Sequence, residues 1–339
     1  MSSYLYVPLI EEQKFLIFGM DAASGKLRLN RQIRLSSRPY QLCADPGQRF
    51  LYQQLRSESY SAVASFRIGP ASGDVTQIGE VELDADACYV ATDRSGRFLL
   101  AAYLIAGMVS VHPIGSDGAV RSPASDQRIT EIYAHSILTD PSNRYAFVPH
   151  VAPTDSIHQF RFDPSSGSLR PSRIPRIATT PGRGPRHLAF HPSGKVVYAN
   201  EEQSSSVGVY GLDASSGNLT PLQSLSTLPR GGFQGKNSTG SVRVHPAGKA
   251  VYVSNRGHNS IAAFAVDDGS GLLSPLGWVP SQPIPRTLGI TSDGRFFFAG
   301  SDESGRLSSY RIDERGMLEP LETYEVGEVV SWILPLAFN

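Results

Sequence analysis

Pro185-Arg186-His187-Leu188-Ala189-Phe190-His191-Pro192-Ser193-Gly194-Lys195-Val196-Val197-Tyr198 is echoed by Ser241-Val242-Arg243-Val244-His245-Pro246-Ala247-Gly248-Lys249-Ala250-Val251-Tyr252, and this echo decides the fold. Each copy reads as an apolar strand, a turn built by Pro, Ser and Gly chemistry, and a second apolar strand. Weaker copies run from Pro39 to Tyr52, Cys88 to Leu100, His135 to Phe147 and Arg286 to Phe298. The spacing of roughly 47 to 54 residues is that of a four-stranded propeller blade with its loops. A third alternating strand follows each copy, then a second turn signal: Ala23-Ser24-Gly25, Ala71-Ser72-Gly73, Ser116-Asp117-Gly118, Ser166-Gly167, Ser216-Gly217, Gly269-Ser270-Gly271 and Arg315-Gly316. Those turns outnumber the first hairpins by one. The missing inner strand is expected from Trp332-Ile333-Leu334-Pro335-Leu336-Ala337-Phe338, joined to three strands between residue 4 and about residue 36. The expected fold is therefore an all-β, seven-bladed propeller of four-stranded antiparallel blades, one domain over residues 1–339, with the last blade closed by the two chain ends. Such closure leaves no unpaired sheet edge.

Composition agrees with short strands and tight turns: 32 Gly and 24 Pro in 339 residues, 18% charged. The net charge is zero and the pI about 7.1. A nucleic-acid binder needs a basic face to displace counterions, so no nucleic acid is expected as a partner. No stretch approaches the apolar length of a membrane span and the start lacks a signal-peptide pattern, so a cytoplasmic protein, a monomer or weak homo-oligomer, is expected. Cys43 and Cys88 are too few for a disulfide framework and read as packed free thiols. Gly231-Gly232-Phe233-Gln234-Gly235-Lys236 lacks the Ser or Thr of a phosphate loop and reads as an inter-blade loop. No cofactor is expected.

Because strands one and two of a blade are antiparallel neighbours, the start of the first and the end of the second share one face. Aligning the copies on Arg186 gives Tyr40, Cys88, His135, Gly240 and Arg286. Aligning them on Glu202 gives Arg56, Leu104, Val151, Arg256 and Asp302. These sets predict a polar ring at one channel mouth, with His187, Asn200, Asn255, His258 and His150 close by. Glu201 reads as a solvated neighbour of Glu202, and His191 and His245 as turn residues at the opposite face. Arg186 and Arg256 could also brace adjacent blades through Glu202 or Asp302.

Gly184-Pro185-Arg186-His187-Leu188-Ala189-Phe190-His191-Pro192-Ser193-Gly194-Lys195, Tyr198-Ala199-Asn200-Glu201-Glu202, Ala134-His135-Ser136 and Val253-Ser254-Asn255-Arg256-Gly257-His258-Asn259-Ser260-Ile261 resemble the lactonase family of propellers. That family includes bacterial 6-phosphogluconolactonases and a fungal carboxymuconate cyclase. The resemblance covers nearly the whole chain and implies a catalytic set of His135, Arg186, Glu202 and Arg256. His187, Asn200, Glu201, Asn255, His258, Arg286, Arg56 and His150 would line the substrate.

The implied reaction is hydrolysis of a small anionic sugar lactone, most simply 6-phosphogluconolactone. His135 would be the base that activates water, Glu202 would orient it or the substrate, and Arg186 and Arg256 would hold the anion through planar donor forks. Arg183, Arg230, Lys236 and Arg286 are candidates for a remote phosphate. A lactone-forming cyclase would use the same groups, and a non-catalytic sugar-acid or protein-binding propeller would use them only to bind. A metal site is not expected, since the ring is rich in Arg and poor in carboxylates for a hard cation.

Overall fold

Each copy of the repeat does form one blade. The computed structural model describes residues 2–338, and among them there are strands and turns but no helix. Seven four-stranded antiparallel sheets stand around one axis. Blade 1 spans residues 38–82, blade 2 residues 89–129, blade 3 residues 138–178, blade 4 residues 185–226, blade 5 residues 238–280 and blade 6 residues 285–325. In blade 7 the C-terminal strand Leu334–Phe338 lies inside the N-terminal strand Ser2–Leu9, with Tyr4 opposite Leu336. The expected closure by both chain ends is what the structure has.

Burial is graded outward through each blade. In blade 4 the second strand, Val196–Glu201, is buried at every position, whereas the outer strand, Leu219–Ser226, is exposed or half-buried at every position but Leu219. Second strands carry runs such as Val-Val-Tyr-Ala because neighbouring blades cover both faces of the sheet. The seven outer turns seen in the sequence dock onto the preceding blade. Tyr52 donates its hydroxyl to the Gly118 carbonyl at 3.1 Å, Tyr198 to Gly271 at 2.9 Å and Tyr252 to Gly316 at 2.8 Å. Across the closure, Tyr6 of blade 7 donates to Gly73 of blade 1 at 2.8 Å. Gly118 shows why the turn needs glycine: its φ is +90°, and a Cβ there would run into the Phe50 ring.

At the opposite face His191 reaches the Gly248 carbonyl at 3.2 Å and His245 the Gly294 carbonyl at 3.1 Å. Both are inter-blade turn contacts, as their position in the repeat predicted.

Candidate functional site

A local irregularity aims the mouth residues. In blade 4 the ladder passes from Pro185 opposite Glu201 to His187 opposite Asn200, leaving Arg186 as an extra, bulged residue. The same irregularity falls at Arg286 in blade 6, at Tyr40 and Gln41 in blade 1, and at Gly240 and Ser241 in blade 5. A bulge turns a side chain out of the alternation of its strand, and these turn theirs toward the axis. Gly240 has no side chain to offer, and its carbonyl instead accepts a hydrogen bond from Arg186 Nη1.

The resulting cavity, of about 140 Å³, is lined by Tyr40, Gln41, Arg56, Cys88, Leu104, His135, Arg186, His187, Arg286, Ser331 and Trp332. Six of the seven blade positions thus meet at one mouth. A larger surface hollow of about 870 Å³ lies on the outside of blade 7 around Gly19, Met20 and Arg28; it is open and gathers no comparable cluster of buried charge. The mouth is the better site because its polar groups converge inside an enclosed space.

Charges at the mouth are arranged in pairs and one triplet. Glu202 lies between two guanidinium groups, 3.5 Å from Arg186 Nε and hydrogen-bonded to Arg256 Nη2. This links blades 4 and 5, and Arg256 also donates to the Thr239 carbonyl at 3.0 Å. Glu202 and Arg256 do not line the cavity; they stand behind Arg186. Arg286 pairs with Asp302 at 3.0 Å, and Arg56 with Asp86 at 2.7 Å while lying 5.1 Å from the Tyr40 ring centre. Burial, with Arg256 and Arg286 nearby, lowers the Arg186 guanidinium to about 9, so it is still a cation at neutral pH.

His135 lines the cavity with its ring edge toward His187, the centres 5.2 Å apart. Enclosure, and then the charge of Arg186, push it well below the usual imidazole range, so it is neutral at pH 7. Burial and Arg186 act on His187 in the same direction. Four buried polar atoms in this cluster have no hydrogen-bond partner: His135 Nδ1, Arg186 Nε, Arg256 Nε and Asp302 Oδ1. Buried groups left unsatisfied in a native structure call for an explanation, and a polar ligand is one. Cys88 faces the same space, its thiol pushed up to about 12 by burial, which makes it inert as a nucleophile near neutral pH.

Several predicted residues do not reach the mouth. Glu201 is not solvated: it is fully buried and accepts from Ser206 at 2.6 Å and Ser224 at 2.8 Å, with Arg183 at 3.3 Å. Arg183 is thereby committed to Glu201 rather than to a remote phosphate. His150 is not a loop residue but the buried end of its strand, with its ring 4.4 Å from that of His158 and Nε2 3.1 Å from Thr130 Oγ1. Asn255 ties the blade 4 to blade 5 connection down by accepting from Thr227 Oγ1 at 2.7 Å, and Asn200 accepts from the His187 amide at 3.1 Å. His258 packs 5.1 Å from Phe233 and contacts Ser260 at 2.7 Å. Arg230 and Lys236 are exposed in the connecting loop.

Sequence reasoning missed Gln41, Ser331 and Trp332. The signal for the latter two was present just before the C-terminal strand: Ser331 Oγ donates to the Tyr40 carbonyl at 2.9 Å just as Ser136 Oγ donates to that of Arg186 at 3.0 Å. Both serines hold the mouth residue of the next blade.

Fold and mouth together define a closed seven-bladed propeller with a small, arginine-rich pocket at one end of its axis. The chain belongs to the family described as Lactonase, 7-bladed beta-propeller, whose model matches residues 8–335. It is 32% identical over 340 residues to a 6-phosphogluconolactonase of Pectobacterium carotovorum subsp. carotovorum (strain PC1), covering 100% of both chains. It is 31% identical to one of Serratia proteamaculans (strain 568), covering 99% of this chain and 100% of the other. Among solved structures, the Pseudomonas aeruginosa periplasmic gluconolactonase superposes with a TM-score of 0.89 at 27% identity, over 97% of this chain and 98% of the other.

Proposed function

We propose that this protein hydrolyses 6-phosphogluconolactone to 6-phosphogluconate, with water activated by His135 and the developing oxyanion held by Arg186. The observation that carries the reading is the His135 ring lining the cavity beside Arg186, with a buried nitrogen on each that lacks a hydrogen-bond partner. Lactone opening needs a base for water, a positive group at the carbonyl oxygen and a proton for the leaving alkoxide. His135 takes the proton from water as the water attacks, and the imidazolium can return it to the ring oxygen as that bond breaks. Arg186 and Arg286 push the free imidazole toward neutrality; an anionic substrate between them offsets that push and raises the basicity of His135 when the substrate is in place. Glu202 acts as positioning residue, fixing both Arg186 and Arg256. Arg256 stands behind Arg186 and acts through it. The names of the curated relatives support the phosphorylated substrate.

A second reading, hydrolysis of unphosphorylated gluconolactone, is favoured by the charge at the mouth. Arg56, Arg186, Arg256 and Arg286 face Asp86, Glu202 and Asp302, so one net positive charge remains for an incoming ligand. The test is kcat/KM for both lactones, each corrected for spontaneous opening. A preference of at least tenfold for the phosphorylated lactone supports the first reading, and equal or reversed values support the second. No acceleration of either removes both.

A further inference from the structure

The channel continues past the mouth. Tyr89, His187 and Trp332 form an aromatic septum across it, with ring centres 5.3 Å (Tyr89 to His187), 6.0 Å (His187 to Trp332) and 6.2 Å (Tyr89 to Trp332) apart. Beyond the septum lies a second chamber of about 310 Å³, lined by inner-strand residues from six blades, among them Gln41, Tyr89, Thr92, Arg243, Gly289 and Trp332. At about 30 Å³ per water this holds several waters or a small ligand with its hydration.

Arg243 is the charged residue of the wall. Its Nη1 donates to Ser241 Oγ at 3.1 Å and to the Val242 carbonyl at 2.9 Å, and its guanidinium lies 5.0 Å from the Trp332 ring centre. Those contacts fix the plane of the fork. Among the described residues no carboxylate lies within ion-pair distance of Arg243, and its Nε and Nη2 have no protein partner. This sets Arg243 apart from Arg186, Arg256, Arg286 and Arg56 at the mouth. The other charged groups flanking this wall include Arg94 and the turn carboxylates Asp45, Asp93 and Asp140. Arg94 donates to the Thr139 and Asp140 carbonyls at 3.2 and 3.4 Å. The three carboxylates are occupied by the turn amides of Arg49 and Phe50, of Arg97 and Phe98, and of Arg144 and Tyr145. Arg243 is half-buried, so the unpartnered edge of its guanidinium faces the pocket without a counterion and offers a charge-assisted fork to an incoming anion.

We infer that this lower chamber is a second binding site, for a small oxyanion such as a carboxylate or phosphate group, gripped by the free edge of Arg243 over Trp332. It is separate from the lactone site and does not depend on which lactone is hydrolysed there. The other polar side chains of the wall are Gln41, Cys43, Tyr89 and Thr92; Thr92 Oγ1 is spent on the Ala44 carbonyl at 3.0 Å and Gln41 Oε1 on the Val90 amide at 3.1 Å.

The test has two arms. Crystals soaked in millimolar selenate should show anomalous density within hydrogen-bond distance of Arg243 Nε or Nη2. In solution, with Trp278→Phe leaving Trp332 as the reporter, acetate and inorganic phosphate are titrated separately by fluorescence to learn which oxyanion is preferred. Arg243→Met should weaken the preferred anion by at least about tenfold, the loss expected for a charge-assisted fork, while Arg286→Met at the mouth leaves that component in place. Should Arg243→Met fail to fold, Arg243→Lys, which keeps the charge and loses the fork, should still weaken binding, and the soak of the unmodified protein stands alone. Selenate only at the upper mouth, or a titration indifferent to Arg243, overturns the inference.

Discussion

Lowering the pH from 8 to 5 should destabilise the fold through histidines locked in their neutral form. His150 is fully buried, and burial with His158 beside it lowers it to about 3; His187 is 5% exposed and held well below the usual range by burial and Arg186. In the unfolded chain each takes a proton near pH 6.5, so below that pH the unfolded state binds more protons and stability falls. For a ring still neutral at pH 5 the loss is about 2 kcal/mol, or about 4 kcal/mol for the pair. His135, His112, His158 and His245 are shifted the same way and add to the slope. The lowered carboxylates Asp163 and Asp213 act only in a more acid window, being ionised in both states at pH 5. Reversible urea unfolding at both pH values measures the difference, and His150→Gln should reduce it by about 2 kcal/mol. Equal stability at pH 8 and pH 5 would mean that the rings accept protons inside the fold, and the account of their burial would be wrong.

The same electrostatics predict that kcat/KM changes little from pH 7.5 to 5.5, because His135 stays neutral, whereas a base titrating near 6.5 would lose about tenfold over that span. Arg256→Ala should cost roughly two decades in turnover, by releasing Glu202 to pair with Arg186 alone, read from initial rates with KM determined separately. Glu201→Gln should lower stability by about 2 kcal/mol or more in urea titrations, because Arg183 and two serines lose a buried anion, while the KM for the lactone holds. Gly118→Ala should cost roughly 2 to 4 kcal/mol, from a left-handed φ and a Cβ driven into Phe50, with the mouth chemistry intact in whatever fraction folds.

The blades and their closure were legible because strand, turn and strand lie within each repeat and use local chemistry. The rim was legible because antiparallel register fixes which ends share a face, and Tyr40, Cys88, His135, Arg186 and Arg286 do meet. What went astray was one residue away. Glu201, His150 and Asn255 occupy the same register position, immediately before Glu202, Val151 and Arg256, and alternation turns all three from the rim into the seam between blades. In an open sheet that side would meet water; here it is covered, so a carboxylate there finds Ser206 and Ser224 of its own blade and Arg183 of the loop that leads into it instead of solvent. Which partners it finds depends on outer strands and connecting loops, whose residues carry no periodic signal. The septum was hidden for a related reason, since Tyr89, His187 and Trp332 are brought together only by closing the ring.

The central claim is that the mouth is a catalytic site with His135 as its base. Its most direct test is the rate of loss of freshly generated 6-phosphogluconolactone with wild type and with His135→Ala, the fold of the variant checked by its unfolding transition. The account predicts rapid hydrolysis by the wild type and a fall of at least two decades in a folded variant. Undiminished hydrolysis by folded His135→Ala would contradict it.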